Sequence, residues 1–159
     1  MNQEQKSQEV NSRKKIVIWL IVFLVVIAGT ITYQYNQSKK PILGESTTQK
    51  IKQGERLFVE HCGLCHGDEA QGEDPFKPKG GLKDDGSFLA PALNGKGHGW
   101  HHSDKILFEV VKEGSIAEES PMREFKGKLS DDEIKSTIHY FKSLWPPEIK
   151  AKHQRERVY

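Results

Sequence analysis

Three side chains in the string HCGLCHG carry the chemistry that the sequence displays most directly. Cys62 and Cys65, the only cysteines, stand three positions apart, and His66 follows at once. Two thiols at this spacing can each form a thioether with a heme vinyl group while the adjacent imidazole binds the iron, and CxxCH is the attachment signature of c-type heme. A disulfide or half of a metal site are the alternatives, but a zinc site needs two further ligands and no second cysteine pair exists. We therefore predict one covalently attached heme c.

The residues ahead of the motif indicate the helix that must position it. Gly54 and Phe58 precede Cys62 at four-residue intervals, so the three share one helix face. Together with the attachment motif they resemble the monoheme class I cytochromes c, over a stretch from Gln49 to Pro146. This resemblance implies an all-α fold of three main helices and long loops around the heme, in which Tyr140 lies where the last helix crosses the first.

The last helix is indicated by its own signals. Ser130 and Glu133 have the spacing of a capping box, apolar residues follow at helical intervals, and Pro146 ends the helix. Thr137 departs from the resemblance, because similar proteins usually have an apolar side chain there. We expect this residue to loosen the helix crossing without abolishing it.

Between these two helices the sequence predicts one short helix and a long loop. Ser103 can cap a helix over residues 104–113, and Gly114 can stop it. The stretch from Gly67 to Leu89 is rich in Gly, Lys and Asp and predicts a surface loop at the heme edge, or alternatively an insert that docks a partner. No alternation is long enough to predict a strand.

The other axial position of the iron has one thioether candidate. Met122 is the only methionine besides Met1, and the Pro121-Met122 pair resembles the ligand loop of the family. Met122 as core filler is the alternative. The resemblance also implies that the Pro91 carbonyl accepts the second ring N–H of His66, which would fix the imidazole; a simple turn proline is the alternative.

A cluster of histidines surrounds Trp100. His98, His101 and His102 are three of the seven histidines of the chain. Three interpretations remain open: a copper or zinc site, a polar loop ahead of the Ser103 cap, or Trp100 and one histidine donating to the heme propionates. We favour the last and assign Trp100 to cofactor binding.

An uncharged run from Ile16 to Tyr33 is apolar at 15 of its 18 positions. It nearly matches the thickness of a bilayer core, and three basic residues directly precede it: Arg13, Lys14 and Lys15. By the positive-inside tendency the N-terminus is cytoplasmic and the rest of the chain extracytoplasmic, in the periplasm or at the outer cell surface. A cleaved signal peptide is the alternative, but we predict a single-pass anchor.

The composition of the rest of the chain limits the size of the core that its side chains can form. Outside the run only about 29% of residues are apolar, less than a core built of side chains alone requires, and a porphyrin would supply the missing apolar surface. The first 40 residues carry a net charge of +4 and the rest −2, which argues against nucleic-acid binding. The expected organisation is a cytoplasmic segment (1–15), an anchor (16–33), a linker (34–48), a cytochrome c domain (49–146) and a charged tail (147–159).

Function follows from the predicted ligation. With His66 and Met122 both bound to iron, substrate cannot reach the metal, so we expect a single-electron carrier and not an enzyme. The resemblance implies respiratory partners: a quinol-oxidising complex as donor and a terminal oxidase as acceptor. The alternatives are a heme-bearing subunit of a larger oxidase or dehydrogenase, a copper-handling protein, or an open-site heme enzyme if Met122 is not a ligand.

Overall fold

The computed structural model describes residues 3–38, 41–115, 117 and 120–156, and it divides the chain into two compact units, 1–40 and 41–159. The helices are α1 (Gln3–Ser38), α2 (Thr48–His61), α3 (Gly63–His66), α4 (Asp104–Glu113), α5 (Asp131–Ser143) and α6 (Pro147–Glu156). Two antiparallel two-residue strands, β1 (Gly81–Leu82) and β2 (Phe88–Leu89), pair Gly81 with Leu89 and Leu82 with Phe88. The predicted all-α class is confirmed.

The first unit is the single helix α1. Its segment Arg13–Gln37 has a mean hydropathy of 2.6 over its most apolar window, and none of that window is buried within the protein. By length and composition this segment can cross a membrane. The helix is longer than the predicted apolar run because polar residues continue the helical backbone on both sides.

The second unit is organised by the crossing of α2 and α5. Gly54 lies against the backbone of α5 so closely that a Cβ there would sit 1.9 Å from the Ser136 carbonyl oxygen. One turn later, Phe58 packs against Tyr140 with ring centroids 5.3 Å apart. The glycine permits the close approach and the aromatic pair fills the space beside it, as the family resemblance implies.

The two N-caps predicted from the sequence, at α4 and α5, are both present in the structure. Ser130 and Glu133 form the reciprocal capping box of α5, and the Ser103 hydroxyl accepts from the Ile106 N–H at the start of α4. Gly114, at a φ of +90°, ends α4. These predictions are confirmed.

Two core residues lie in segments that the sequence assigns to the linker and the tail. Leu43, in the predicted linker, is 2% exposed, and its carbonyl lies 3.0 Å from Nε2 of His139. His153, in the predicted charged tail, is 3% exposed on α6. Both segments therefore contribute to the packing of the second unit.

Candidate heme site

The attachment motif occupies one helical turn at the end of α2. Cys62 is the C-cap of α2, and its carbonyl accepts from the backbone N–H groups of Cys65 (3.2 Å) and His66 (2.9 Å). The short helix α3 thus carries the second cysteine and the histidine. Gly67, at a φ of +73°, ends it and turns the chain away. Both cysteines and the histidine therefore lie on a single helical turn.

His66 is buried and oriented by a backbone carbonyl. Its Nδ1 lies 2.8 Å from the Pro91 carbonyl oxygen. A carbonyl can only accept, so Nδ1 carries a proton. Burial lowers the pKa of His66 below its ordinary value of 6.5, an effect that the hydrogen bond to Pro91 opposes. The ring is therefore a neutral imidazole with Nε2 in the form that binds a metal.

The two cysteines are free thiols, Cys62 half-buried and Cys65 exposed. Burial, followed by the charge of Cys65, raises the pKa of the Cys62 thiol to about 11. Between them, Leu64 is 99% exposed, so the middle of the motif faces outward. Two unpaired thiols beside a neutral imidazole with a free Nε2 form the donor set of c-type heme, and these residues fit that group.

Met122 lies in the segment between α4 and α5 and is half-buried. Its carbonyl accepts from the Ser115 N–H and its own N–H donates to the Ser120 hydroxyl, both at 3.2 Å. These two contacts fix the backbone that presents the thioether. Within the described residues, no hydrogen bond, ion pair or ring contact joins Met122 to His66.

Trp100 is half-buried in a 3-10 turn, Gly99–His101, and its contacts run to neighbours other than His66. Its ring stacks on His101 at 3.6 Å, and its carbonyl lies 2.9 Å from Nδ1 of His153. His98 and His102 meet edge to face at 5.4 Å. The three clustered histidines do not converge, and in the described part of the chain no group of three or more His, Cys, Asp and Glu could hold a metal ion.

A buried polar cluster escaped the sequence analysis. His153 of α6 and Asp104 of α4, both nearly inaccessible, lie 3.0 Å apart, and Lys142 of α5 contacts Asp104 directly and lies 3.1 Å from the His153 ring. Burial lowers the pKa of Lys142 to about 8. The cluster joins three helices to the Trp100 turn. A lone histidine within a run of charged residues gives no pattern from which this role could be read.

The helical second unit, the α2–α5 crossing and the CxxCH turn define a monoheme cytochrome c. The sequence model of the family described as cytochrome c oxidase, cbb3-type, subunit III matches residues 49–141, more than half of the chain. The chain belongs to this family. It is therefore an electron-carrying heme protein, and its cofactor is covalently bound heme c.

One solved structure supports the fold, and a second shows a more distant likeness. Cytochrome CL of the marine methylotrophic bacterium Methylophaga aminisulfidivorans is 25% identical, with 72% of this chain and 68% of that chain covered and a TM-score of 0.51. A chain of a reducing HAO-like protein complex of Kuenenia stuttgartiensis is 28% identical, with 64% of this chain and 46% of that chain covered and a TM-score of 0.48. No protein of curated function is significantly similar in sequence.

Proposed function

We propose that this protein is a membrane-anchored c-type cytochrome that carries single electrons between components of a respiratory chain on the extracytoplasmic side. The observation that carries the proposal is the contact between His66 Nδ1 and the Pro91 carbonyl, which leaves Nε2 free beside two unpaired thiols. A quinol-oxidising complex as donor and a terminal oxidase as acceptor are the partners that the family favours.

Each residue of the site has a distinct task in this proposal. Cys62 and Cys65 would hold the porphyrin through thioethers, and His66 would supply a nitrogen to its iron. Pro91 fixes the tautomer of His66 and prevents rotation of the ring. The bound heme would supply one-electron chemistry between Fe(II) and Fe(III). The protein exchanges one electron per cycle, and no proton needs to move at His66 because its Nδ1–H stays bound to the carbonyl.

Met122 is the second axial ligand that we propose. Its backbone is tied to Ser115 and Ser120, and Pro121 restricts the chain on its N-terminal side. Histidine and methionine together are the pair expected for an electron-transfer cytochrome c, and the thioether raises the potential. With both positions filled, the site excludes exogenous ligands, which separates a carrier from a heme enzyme.

The proposed anchor rests on the apolar segment of α1. By the positive-inside tendency, the basic residues before it support a cytoplasmic N-terminus and an extracytoplasmic second unit. Trp19 and Tyr33 lie near opposite ends of the segment, where interfacial aromatics are common. A tether of this kind raises the effective concentration of the carrier near membrane-bound partners.

Spectroscopy of the full-length protein in detergent tests the axial assignment. We expect a low-spin ferric form with the weak near-infrared band of sulfur-to-iron ligation, and no carbon monoxide binding after reduction. Met122→Ala should lose the band and bind carbon monoxide. Leu144→Ala, which truncates another partly exposed apolar side chain, is the control and should behave as wild type. A wild-type protein that is high-spin or that binds carbon monoxide readily would contradict the carrier proposal.

The family suggests a second candidate function, a heme-bearing subunit of a larger oxidase. The matching family is described as an oxidase subunit, and this description favours an oxidase subunit over a copper-handling protein or an open-site heme enzyme. Blue-native electrophoresis of solubilised membranes, stained for heme, separates the subunit from the carrier. A heme band that migrates with oxidase activity supports the subunit, and a band at the mass of the single chain supports the carrier.

A further inference from the structure

The Pro91 carbonyl that orients His66 is held from both sides by the segment that follows the attachment motif. The N–H of Ala90, just before Pro91, donates to the Glu73 carboxylate at 3.2 Å, and the N–H of Ala92, just after it, donates to the Pro78 carbonyl at 2.9 Å. The Ala92 N–H shares a peptide unit with the Pro91 carbonyl and fixes it directly, whereas the contacts at Ala90 fix the residue that precedes the proline, which has no N–H of its own. Glu73 also donates its own N–H to the Ala90 carbonyl at 3.1 Å.

Glu73 is itself tied to the far side of a hairpin. Its second carboxylate oxygen contacts the ammonium of Lys83, and the Lys83 N–H donates to the Ser87 carbonyl at 2.8 Å. Lys83 follows β1 directly, so the pair joins the entry of the 73–90 segment to the β1–β2 hairpin. Both side chains are 38% exposed. An exposed ion pair adds little stability, so what it provides is a fixed position for the Glu73 carboxylate.

Close packing makes this arrangement specific. A Cβ at Gly72 would lie 2.7 Å from the Ala92 nitrogen, and one at Gly80 would lie 2.8 Å from the Leu89 carbonyl oxygen. Both glycines also have a positive φ. The glycine-rich composition of this loop therefore allows its backbone to lie directly on the residues that flank Pro91.

We propose that Glu73, held by Lys83, is a positioning residue that fixes the Pro91 carbonyl and thereby sets the electron donation of His66 to the heme iron. The inference rests on the proposed axial role of His66. A carbonyl that holds the Nδ1 proton firmly makes Nε2 a more basic ligand. A more basic ligand favours Fe(III) over Fe(II), so loosening the carbonyl raises the reduction potential.

Two substitutions of one residue separate positioning from charge. Glu73→Ala and Glu73→Gln both remove the negative charge, but Gln keeps an oxygen that can accept from the Ala90 N–H. In full-length protein in detergent, Glu73→Ala should raise the reduction potential more than Glu73→Gln does. It should also speed solvent exchange of the hyperfine-shifted His66 Nδ1 proton, seen by NMR. Asp84→Asn, at an exposed carboxylate of the same hairpin, measures the shift due to charge alone.

Lys83→Met provides an independent test if Glu73→Ala does not accumulate. Removing a positive charge lowers a reduction potential through space, whereas releasing the Glu73 carboxylate raises it by the proposed route. A raised potential supports the inference. Equal shifts in Glu73→Ala and Glu73→Gln, or a lowered potential in Lys83→Met, overturn it.

The variant His66→Ala distinguishes a failure of this inference from a failure of the proposed function. If His66→Ala retains the wild-type low-spin spectrum, His66 is not an axial ligand and the proposed function fails with the inference. If His66→Ala loses that spectrum while Glu73→Ala and Glu73→Gln shift the potential equally, only the positioning role of Glu73 is refuted.

Discussion

Replacing Gly54 by alanine tests whether the α2–α5 crossing depends on a missing side chain. An added Cβ would lie 1.9 Å from the Ser136 carbonyl oxygen and 2.9 Å from the Thr137 nitrogen. The first distance is about 1.5 Å short of ordinary contact. Both partners are backbone atoms of α5, so no side chain can rotate away. The helices must separate, and the Phe58–Tyr140 contact one turn away is strained with them.

For Gly54→Ala, the stability lost through the steric clash should exceed the stability gained from the higher helix propensity of alanine. Alanine is favoured over glycine in a helix by about 1 kcal/mol, and overpacking costs about 1–3 kcal/mol or more. Because rigid atoms oppose the new methyl group, we place the cost at the upper end and expect Gly54→Ala to be less stable by about 2 kcal/mol. With a urea m value of about 2 kcal/mol/M, the unfolding midpoint falls by about 1 M.

Urea unfolding followed by far-UV circular dichroism measures this midpoint, with Gly99→Ala as the matched control. A Cβ at Gly99 would meet only Leu93 at 3.8 Å, an ordinary contact, so the control should unfold near the wild-type midpoint. A Gly54→Ala midpoint equal to or above that of wild type would refute the crossing argument.

Three further predictions concern the attachment, a cap and the buried cluster. Replacing Cys62 and Cys65 together by Ala should abolish the heme-stained band on a denaturing gel while the chain remains detectable by immunoblot; a surviving band would mean another attachment. The pKa of Glu133 lies below its ordinary value of 4.5 because the Ser130 backbone N–H, then its hydroxyl, donate to the carboxylate. This contribution to stability is present above pH 4.5 and is lost as the pH falls through the pKa of the folded state. As the pH is lowered from 4.5 through the folded pKa, the free energy of unfolding should therefore fall less for Glu133→Gln than for wild type. Parallel pH curves for the two proteins would contradict this. His153→Leu removes the hydrogen bonds of the buried ring to the Trp100 carbonyl and to Asp104 and should cost about 1–3 kcal/mol in urea unfolding at pH 7; an unchanged midpoint would show that these contacts add no net stability.

Local chemistry explains which parts of the fold were predictable from the sequence. The caps at Ser103 and Ser130 depend on atoms within four residues, and both appear as predicted. The partner of His66 lies 25 residues away. Only the family resemblance pointed to Pro91, because nothing in the spacing distinguishes it from a turn proline.

The effect of Thr137 depends on an interaction that its residue type leaves open. We expected a polar group there to loosen the crossing, yet the side chain is 1% exposed and its hydroxyl donates to the Glu133 carbonyl at 2.9 Å. The hydroxyl is therefore satisfied within its own helix and needs no partner on α2. Threonine can then pack at this position much as an apolar residue would.

The sequence predicts that Leu43 and the residues of α6 lie outside the domain, because neither segment has an apolar pattern that would indicate burial. Leu43 stands in a short Pro-Ile-Leu-Gly stretch that is too brief to show a periodic apolar pattern, and α6 is polar on most of its faces. Their positions depend on long-range hydrogen bonds, from His139 to the Leu43 carbonyl and from His153 to the Trp100 carbonyl. The two-residue strands β1 and β2 are likewise too short for a period of two to be recognised.

The α2–α5 crossing and the candidate heme site are joined by direct packing and hydrogen-bond contacts. Gly54 sets the distance between α2 and α5, and α2 ends at the cysteine turn that carries His66. On the other side of that turn, the Tyr140 hydroxyl of α5 donates to the Asp68 carbonyl at 2.9 Å. The motif is thus fixed to α5 both before and after His66, while Pro91 holds the ring itself. A side chain restrained on all three sides can keep one geometry in both oxidation states of a bound heme, as the proposed electron carrier requires.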